Sequence, residues 1–242
     1  MIKALKFSLV ILLSALASVV HAQDKLFIEL NKLNTAIRDQ TIHKADALKK
    51  INELLPEAEA YYNKHKTTGS NSGWVFPLTG YNANAIGGKN GSGYITSGYS
   101  FFDGNKHGGH PAHDIFIHDT NQDCIDDKTH KEVQVLACTN GIVVAVETDW
   151  KAGSPQRGGN YITVYAPAER RFIYYAHNKT VLVKPGDIVS AGDAIATVGR
   201  SGANATQKRS PTHLHFMVLK LDKNNYPQPE NSYELLKTAK TL

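Results

Sequence analysis

Two short histidine patterns carry the chemistry in this sequence. His213-Leu214-His215 lies in an alternating apolar run, and residues i and i+2 of a strand point to the same side. The two imidazoles therefore project together, while Leu214, Phe216 and Val218 turn the other way into a core. His110-Pro111-Ala112-His113-Asp114 supplies a second pair. His110 and Asp114 stand four positions apart, an even spacing that shares one face of an extended segment. A lone His-x-His is better explained by two surface histidines on the polar face of a strand. Taken together, histidine, carboxylate and a further histidine form a three-ligand set for Zn2+. The fourth position is left for water, which marks a catalytic rather than a structural zinc. Gly108-Gly109 and Gly202 point to close backbone approach around the site. His177, in Tyr174-Tyr175-Ala176-His177 at the end of a strand, is the third piece; alone it reads as a surface histidine.

These groups need a β framework. From Trp74 to Leu221, short β-branched and aromatic runs alternate with Gly-rich turns. Val133–Leu136, Ile142–Val146, Tyr161–Tyr165, Phe172–Tyr175, Ile188-Val189, Ala194–Val198 and His213–Leu221 read as strands. Spacing is close and no long helix intervenes, so the sheet is antiparallel. Upstream the period changes. Leu26, Leu30, Leu33 and Ile37 make one helical stripe, and Leu48, Ile51, Leu55, Ala58 and Tyr62 make another. The registers do not join: either a turn lies at 39–43 or a single helix shifts its stripe. Pro56 is expected to kink the second half or to open a new helix. The helices either pack on the main domain or cover the active site. The chain thus divides into an export segment (1–22), a helical segment (23–68), a Ser/Thr/Gly/Asn linker (69–73), the β domain (74–222) and a polar tail (223–242) ending in a short helical pattern.

Lys3 and Lys6, the apolar run Phe7–Val20 and Val20-His21-Ala22 form a signal-peptide pattern, with Gln23 as the mature start. The apolar run is about 14 residues, short of the ~20 that span a bilayer. No stable membrane insertion is expected after cleavage. The formal net charge of +5 is mild, and no nucleic-acid partner is expected. Cys124 and Cys138 are the two cysteines; in an oxidising compartment an even count favours a disulfide between them. Asp119-Thr120-Asn121-Gln122-Asp123, with Asp126 and Asp127, alternates oxygen ligands as a Ca2+ loop does. It lacks the glycine and the terminal glutamate of such a loop, so an ordinary acidic surface loop competes with calcium.

In this order, His-x-x-x-Asp, Tyr-Ala-His and His-Leu-His-Phe resemble the zinc peptidases of the LytM/lysostaphin type, peptidase family M23. The motifs stand at His110–Asp114, Tyr175–His177 and His213–Phe216, and the resemblance runs from Trp74 to Leu221. It implies a mainly β fold: an antiparallel β-sheet lysostaphin/LytM-like catalytic domain, here preceded by an N-terminal α-helical segment. It also implies that His110, Asp114 and His215 bind one Zn2+, while His177 and His213 flank the reacting water and carbonyl. Two positions depart from the family: Ala112 replaces its usual glycine, and Met217 stands where glutamate is common. Residues 203–210 form a longer, polar insert expected to rim the groove. His113 points away from His110 and reads as structural or supporting; His118 reads as a bystander, and His107 is a further extra histidine.

The implied activity is an exported zinc endopeptidase hydrolysing amide bonds in peptidoglycan cross-links. The alternatives are a non-enzymatic cell-wall-binding or amidase-activating module, and a protease acting on secreted proteins. The substrate is peptidoglycan or another peptide, and the expected location is the periplasm, with secretion as the other outcome of export.

Overall fold

The computed structural model describes residues 25–67 and 73–242. The signal-peptide segment expected over 1–22 lies outside the described residues, as does all but the last residue of the expected linker. Residues 25–38 are helical (α1), and a turn at 39–43 leads into α2, Lys44–His65. The two stripes therefore belong to a hairpin of helices. Helix α2 continues through Pro56 without a break, with that proline on its exposed side.

Ten strands follow among the described residues: β1 (His113–Phe116), β2 (Gln134–Leu136), β3 (Gly141–Glu147), β4 (Tyr161–Ala166), β5 (Arg171–Ala176), β6 (Asn178–Val181), β7 (Ile188–Val189), β8 (Ala194–Val198), β9 (His213–Leu221) and β10 (Pro227–Glu230). A short helix α3, Tyr233–Thr238, comes last. The larger sheet has the order β1-β9-β5-β4-β3-β7, with β10 also paired to β9, and the smaller is β2-β8-β6. Every strand pair is antiparallel. The mainly β fold with an N-terminal helical segment is thus as the sequence predicts.

One face of the large sheet is apolar along its length. Leu214, Phe216 and Val218 of β9, Ile173 and Tyr175 of β5, and Ile162 and Val164 of β4 pack with Val135, Ile195 and Val198 of the small sheet. The opposite face changes character along the strands. Towards the C-terminal end of β9, Leu219 and Leu221 join Phe172, Tyr165, Ile142 and Val144 beneath Leu30, Leu33 and Ile37 of α1 and Ile51 and Leu55 of α2. Towards its N-terminal end the same face presents His213 and His215 (β9) and Asp114 (β1). The helical hairpin therefore covers half of this face and leaves the other half as a groove.

Polar contacts fix the hairpin in place. Strand β7 covers β3 only at Gly141 and Ile142, which leaves the far end of β3 as an edge. There the Asn31 side chain accepts the Val146 N–H at 2.8 Å, and Arg38 pairs with Glu147 at 2.6 Å. Unpaired strand edges otherwise invite association, and capping one with side chains blunts it. Tyr161 donates to Asn34 at 2.8 Å, and Tyr165 donates to Glu59. The C-terminal residues are also integral. Strand β10 lies on β9, Leu236 is buried in the main core, and the Lys240 carbonyl accepts the Phe76 N–H.

The structure corrects the expected disulfide: Cys124 and Cys138 are both free thiols. Cys138 is sealed in the core, where the Tyr175 hydroxyl donates to its Sγ at 3.2 Å. Cys124 sits instead on the acidic loop, its N–H bonded to Asp119 at 2.9 Å. Count and compartment favoured pairing, but placement in the fold decides it.

Leu55 is only 2% exposed at the helix–sheet interface. Leu55→Ala is expected to cost about 2–5 kcal/mol, the usual range for a buried leucine. Lys49→Ala, on the exposed side, should stay within about 0.5 kcal/mol. Denaturant unfolding checks both, and similar small losses at the two positions would mean that the hairpin does not pack as described.

Candidate metal centre

The pairing of β1 with β9 builds the centre. Asp114 lies directly opposite His215 in that ladder, and Ala176 lies opposite His215 on the other side. Directly paired residues share a face at Cβ separations of about 5 Å. Asp114 therefore meets the imidazole, while the small Ala176 leaves the space above it open. His110 reaches the same point from just before β1, where its backbone bridges Ile95. Ligand atoms of His110, Asp114 and His215 all lie within 4.8 Å of one another. It is the one such group among the described residues. Asp114 Oδ1 is 3.2 Å from His110 Nε2, 3.1 Å from His215 Nδ1 and 3.6 Å from His213 Nε2.

Backbone carbonyls fix three of the four rings. His110 Nδ1 contacts the Gly93 carbonyl at 3.0 Å, His177 Nδ1 the Ser201 carbonyl at 2.8 Å, and His213 Nδ1 the Pro211 carbonyl at 2.7 Å. A carbonyl only accepts, so each of these Nδ1 atoms carries a proton. Such outer contacts set the tautomer that a metal ligand or a general base needs. For His110 and His213 it is Nε2 that faces Asp114.

His177 depends on unusual backbone. It has φ +67 at the junction where β5 leaves the large sheet and β6 enters the small one. A left-handed residue with a side chain is strained by about 1–2 kcal/mol. Here the conformation changes sheets in one step, and the ring stands 4.9 Å from His213 and 5.5 Å from His215, centre to centre. Gly202, at φ +110, lets a neighbouring loop close over it. A Cβ there would strike the Arg157 carbonyl and come within 2.9 Å of His177 Nδ1.

Electrostatics follow burial and pairing. Burial acts to raise the Asp114 carboxyl, but hydrogen bonds from His110 and His215 outweigh it and hold it far below the usual carboxylate range. Asp114 in turn raises His110 through their hydrogen bond, against the opposing effect of burial. His215 is lowered by burial, partly offset by Asp114. His177 is lowered further, by burial first and then by His213 and His215, so it stands neutral.

The donor chemistry suits zinc. Two imidazoles and one carboxylate from an extended segment and two strands converge at an open groove, which matches a catalytic three-ligand set. The groove forms a cavity of about 330 Å³ that contains all five residues. Asn204, Ala205 and Ser210 of the polar insert line it, as expected.

Sequence reasoning missed several groups that line the groove, among them His107, Arg157, Thr163 and Tyr174. Arg157 donates to the His107 carbonyl at 2.8 Å. Only Tyr174 had a readable signal, since it shares the strand face of Ala176.

The other candidates lie elsewhere. His113 is buried against Tyr94, with Nε2 3.0 Å from Asn231 Oδ1. His118 is exposed and contacts Lys128 at 2.6 Å. The acidic loop is not supported as a calcium site, because its carboxylates are already used. Asp119 accepts from the N–H groups of Asp123 and Cys124 and from Thr212, Asp126 from Lys128 and Thr129, and Asp127 from Thr120.

An antiparallel sheet domain with a His/Asp/His cluster in an open groove is the class that fold and site define. Residues 120–228 match the sequence model of peptidase family M23. The matched span contains His177, His213 and His215 but begins after Asp114, so the structure alone brings His110 and Asp114 to the others. The chain is similar to the antimicrobial peptidase lysostaphin of Staphylococcus simulans, with 25% identity over 60% of this chain and 48% of that one, at a TM-score of 0.39. It therefore spans about half the length of lysostaphin. It is also similar to a lytM protein of Ruminococcus gnavus, with 24% identity over 76% and 72% of the two chains and a TM-score of 0.44. A zinc-containing peptidase from Vibrio cholerae is 20% identical over 72% and 41%, at 0.38.

Metal ligands must be unprotonated, and Asp114 keeps His110 protonated to higher pH than a free histidine. Zinc affinity should therefore rise between about pH 6 and pH 8, with proton release on binding at the lower pH. Calorimetric titration in buffers of different ionisation enthalpy checks this, and equal affinity at both pH values without proton release would contradict it.

Proposed function

We propose that this protein is an exported zinc endopeptidase that hydrolyses amide bonds in the peptide cross-links of peptidoglycan. The observation that carries this reading is the convergence of His110, Asp114 and His215 with the two further imidazoles of His177 and His213 in one open groove. The substrate class follows the family resemblance. A non-enzymatic binding module would need none of these groups, and all of them are present. Export rests on the signal-peptide pattern.

His110 Nε2, an Asp114 oxygen and His215 Nδ1 would hold the ion. Zinc there supplies Lewis acidity, which lowers the pKa of water towards ~7 and polarises a carbonyl. The remaining work belongs to the chain. His177 is neutral with its Nδ1 proton committed to Ser201, so its Nε2 accepts a proton from attacking water. Once protonated, that nitrogen donates to the leaving amine. His213, ring-to-ring with His177 and with its Nδ1 proton committed to Pro211, offers Nε2 to the same space; as an imidazolium, that nitrogen donates to developing negative charge on the carbonyl oxygen. Groove walls from 204–210 and 99–107 orient the peptide.

His177→Ala should lower kcat by about 10²–10⁴-fold, the usual worth of a positioned acid–base group, with zinc content unchanged. An active His177→Ala enzyme would remove the role given to this residue. Mass spectrometry of fragments released from purified sacculi tests the substrate: new amino termini within cross-link peptides are expected. Intact sacculi after incubation with zinc-loaded protein would exclude it.

A further inference from the structure

Three side chains of fixed charge line the groove: Arg38, Asp114 and Arg157. Two of them are matched within the fold. The Arg38 guanidinium lies between Asp39 at 2.8 Å and Glu147 at 2.6 Å, and Asp114 is held by His110 and His215. Arg157 differs. Among the described residues no carboxylate pairs with it. Its Nη1 donates to the His107 carbonyl at 2.8 Å, a neutral group that leaves the charge unmatched.

The backbone, rather than a partner charge, fixes the place of this cation. The Asn105 side chain accepts the Arg157 N–H at 2.8 Å and donates to the Pro155 carbonyl at 3.0 Å. The next carbonyl, of Gly158, accepts the His177 N–H at 3.0 Å. Gly202 packs so closely on the Arg157 carbonyl that a Cβ there would lie 2.2 Å from it. Arg157 thus stands in the groove wall beside the backbone of the proposed general base. Its charge reaches the metal centre: it adds to the burial that lowers His107, and it opposes the rise that Asp114 gives His110. A guanidinium stays charged at every working pH, and its planar fork matches a carboxylate. An ordinary peptide chain of neutral residues offers no such group between its ends. Cell-wall peptides commonly keep free carboxylates beside their amide bonds.

We infer that Arg157 anchors a substrate carboxylate on a residue flanking the cleaved amide, and so selects acidic cross-link peptides over neutral ones such as runs of glycine. The inference rests on the proposed peptidase reading and deepens it by naming the charge of the substrate. Arg157 is a binding residue here; the bond-breaking groups stay those named above.

Two pairs of short synthetic peptides test it. In one pair the residue on the carbonyl side of the scissile amide carries either a carboxylate or a carboxamide. In the other pair the same change is made on the amine side. Calorimetry on zinc-loaded His177→Ala protein measures binding without turnover. One pair should show the acid bound roughly ten- to a hundred-fold more tightly than the amide, the usual worth of a hydrogen bond to a charged group. Arg157→Gln, which can still donate to the His107 carbonyl, should abolish that preference and leave the amide peptide's affinity unchanged. Arg157→Lys should keep part of the preference, because the charge remains without the fork. In the otherwise native enzyme, Arg157→Gln should raise KM for the acid peptide and leave kcat within about two-fold, the mark of lost uniform binding. Equal binding of acid and amide in both pairs would overturn the anchor. So would a preference that survives Arg157→Gln, since the carboxylate would then be meeting the metal. Neither result touches the peptidase reading, which fails instead if the native zinc-loaded enzyme cleaves neither these peptides nor sacculi.

Discussion

The structure turns on one carboxylate. Asp114 sits half-buried at the floor of the groove, where an unpaired negative charge is costly. It stays ionised because imidazoles from His110 and His215 surround it. That pairing in turn positions the rings. Everything nearby serves to keep these groups on one face: the β1–β9 register, the alternation of His213 and His215 with Leu214 and Phe216, and the small Ala176. A one-residue slip of β9 would send both histidines into the core and Leu214 into the groove. The apolar burial of Leu214, Phe216 and Val218 therefore protects the site as much as it stabilises the fold.

The second constraint is the shared use of one sheet face. Its inner half needs covering, since Phe172, Leu219, Leu221, Ile142 and Val144 would otherwise meet water. The helical hairpin provides the cover. It also ends where the groove begins, so the C-terminal part of α1 is at once core and wall. Of the two uses that the sequence left open for these helices, packing accounts for the hairpin, while the end of α1 walls one side of the groove and leaves the site uncovered.

Much of this was legible from period and spacing. Seven strands could be read because β-branched and aromatic runs were bounded by turns, and His213–Leu221 agrees with β9 to the residue. The less regular pieces were not. Strand β1 is short and begins within the histidine motif itself. Strand β6 follows β5 after a single left-handed residue, His177, which no local pattern announces. Strand β10 contains two prolines and reads as tail, yet it is tolerated on an edge, where ladder N–H groups are dispensable. The disulfide failed for a related reason: cysteine count carries no information about which residue the core encloses. At the site, the metal-binding pattern was visible because its residues are chemically distinctive. Thr163, Arg157 and His107 were not, because only the tertiary arrangement makes them neighbours of the groove.

The central claim is that Asp114 organises a zinc centre rather than a hydrogen-bonded histidine cluster. Native mass spectrometry of the mature protein, after zinc addition and removal of loosely held metal, tests it most directly. One retained zinc per chain is the expected result, with none retained by Asp114→Asn, which preserves shape but not charge. A wild-type protein that retains no zinc, or an Asp114→Asn protein that retains it equally well, would contradict the account.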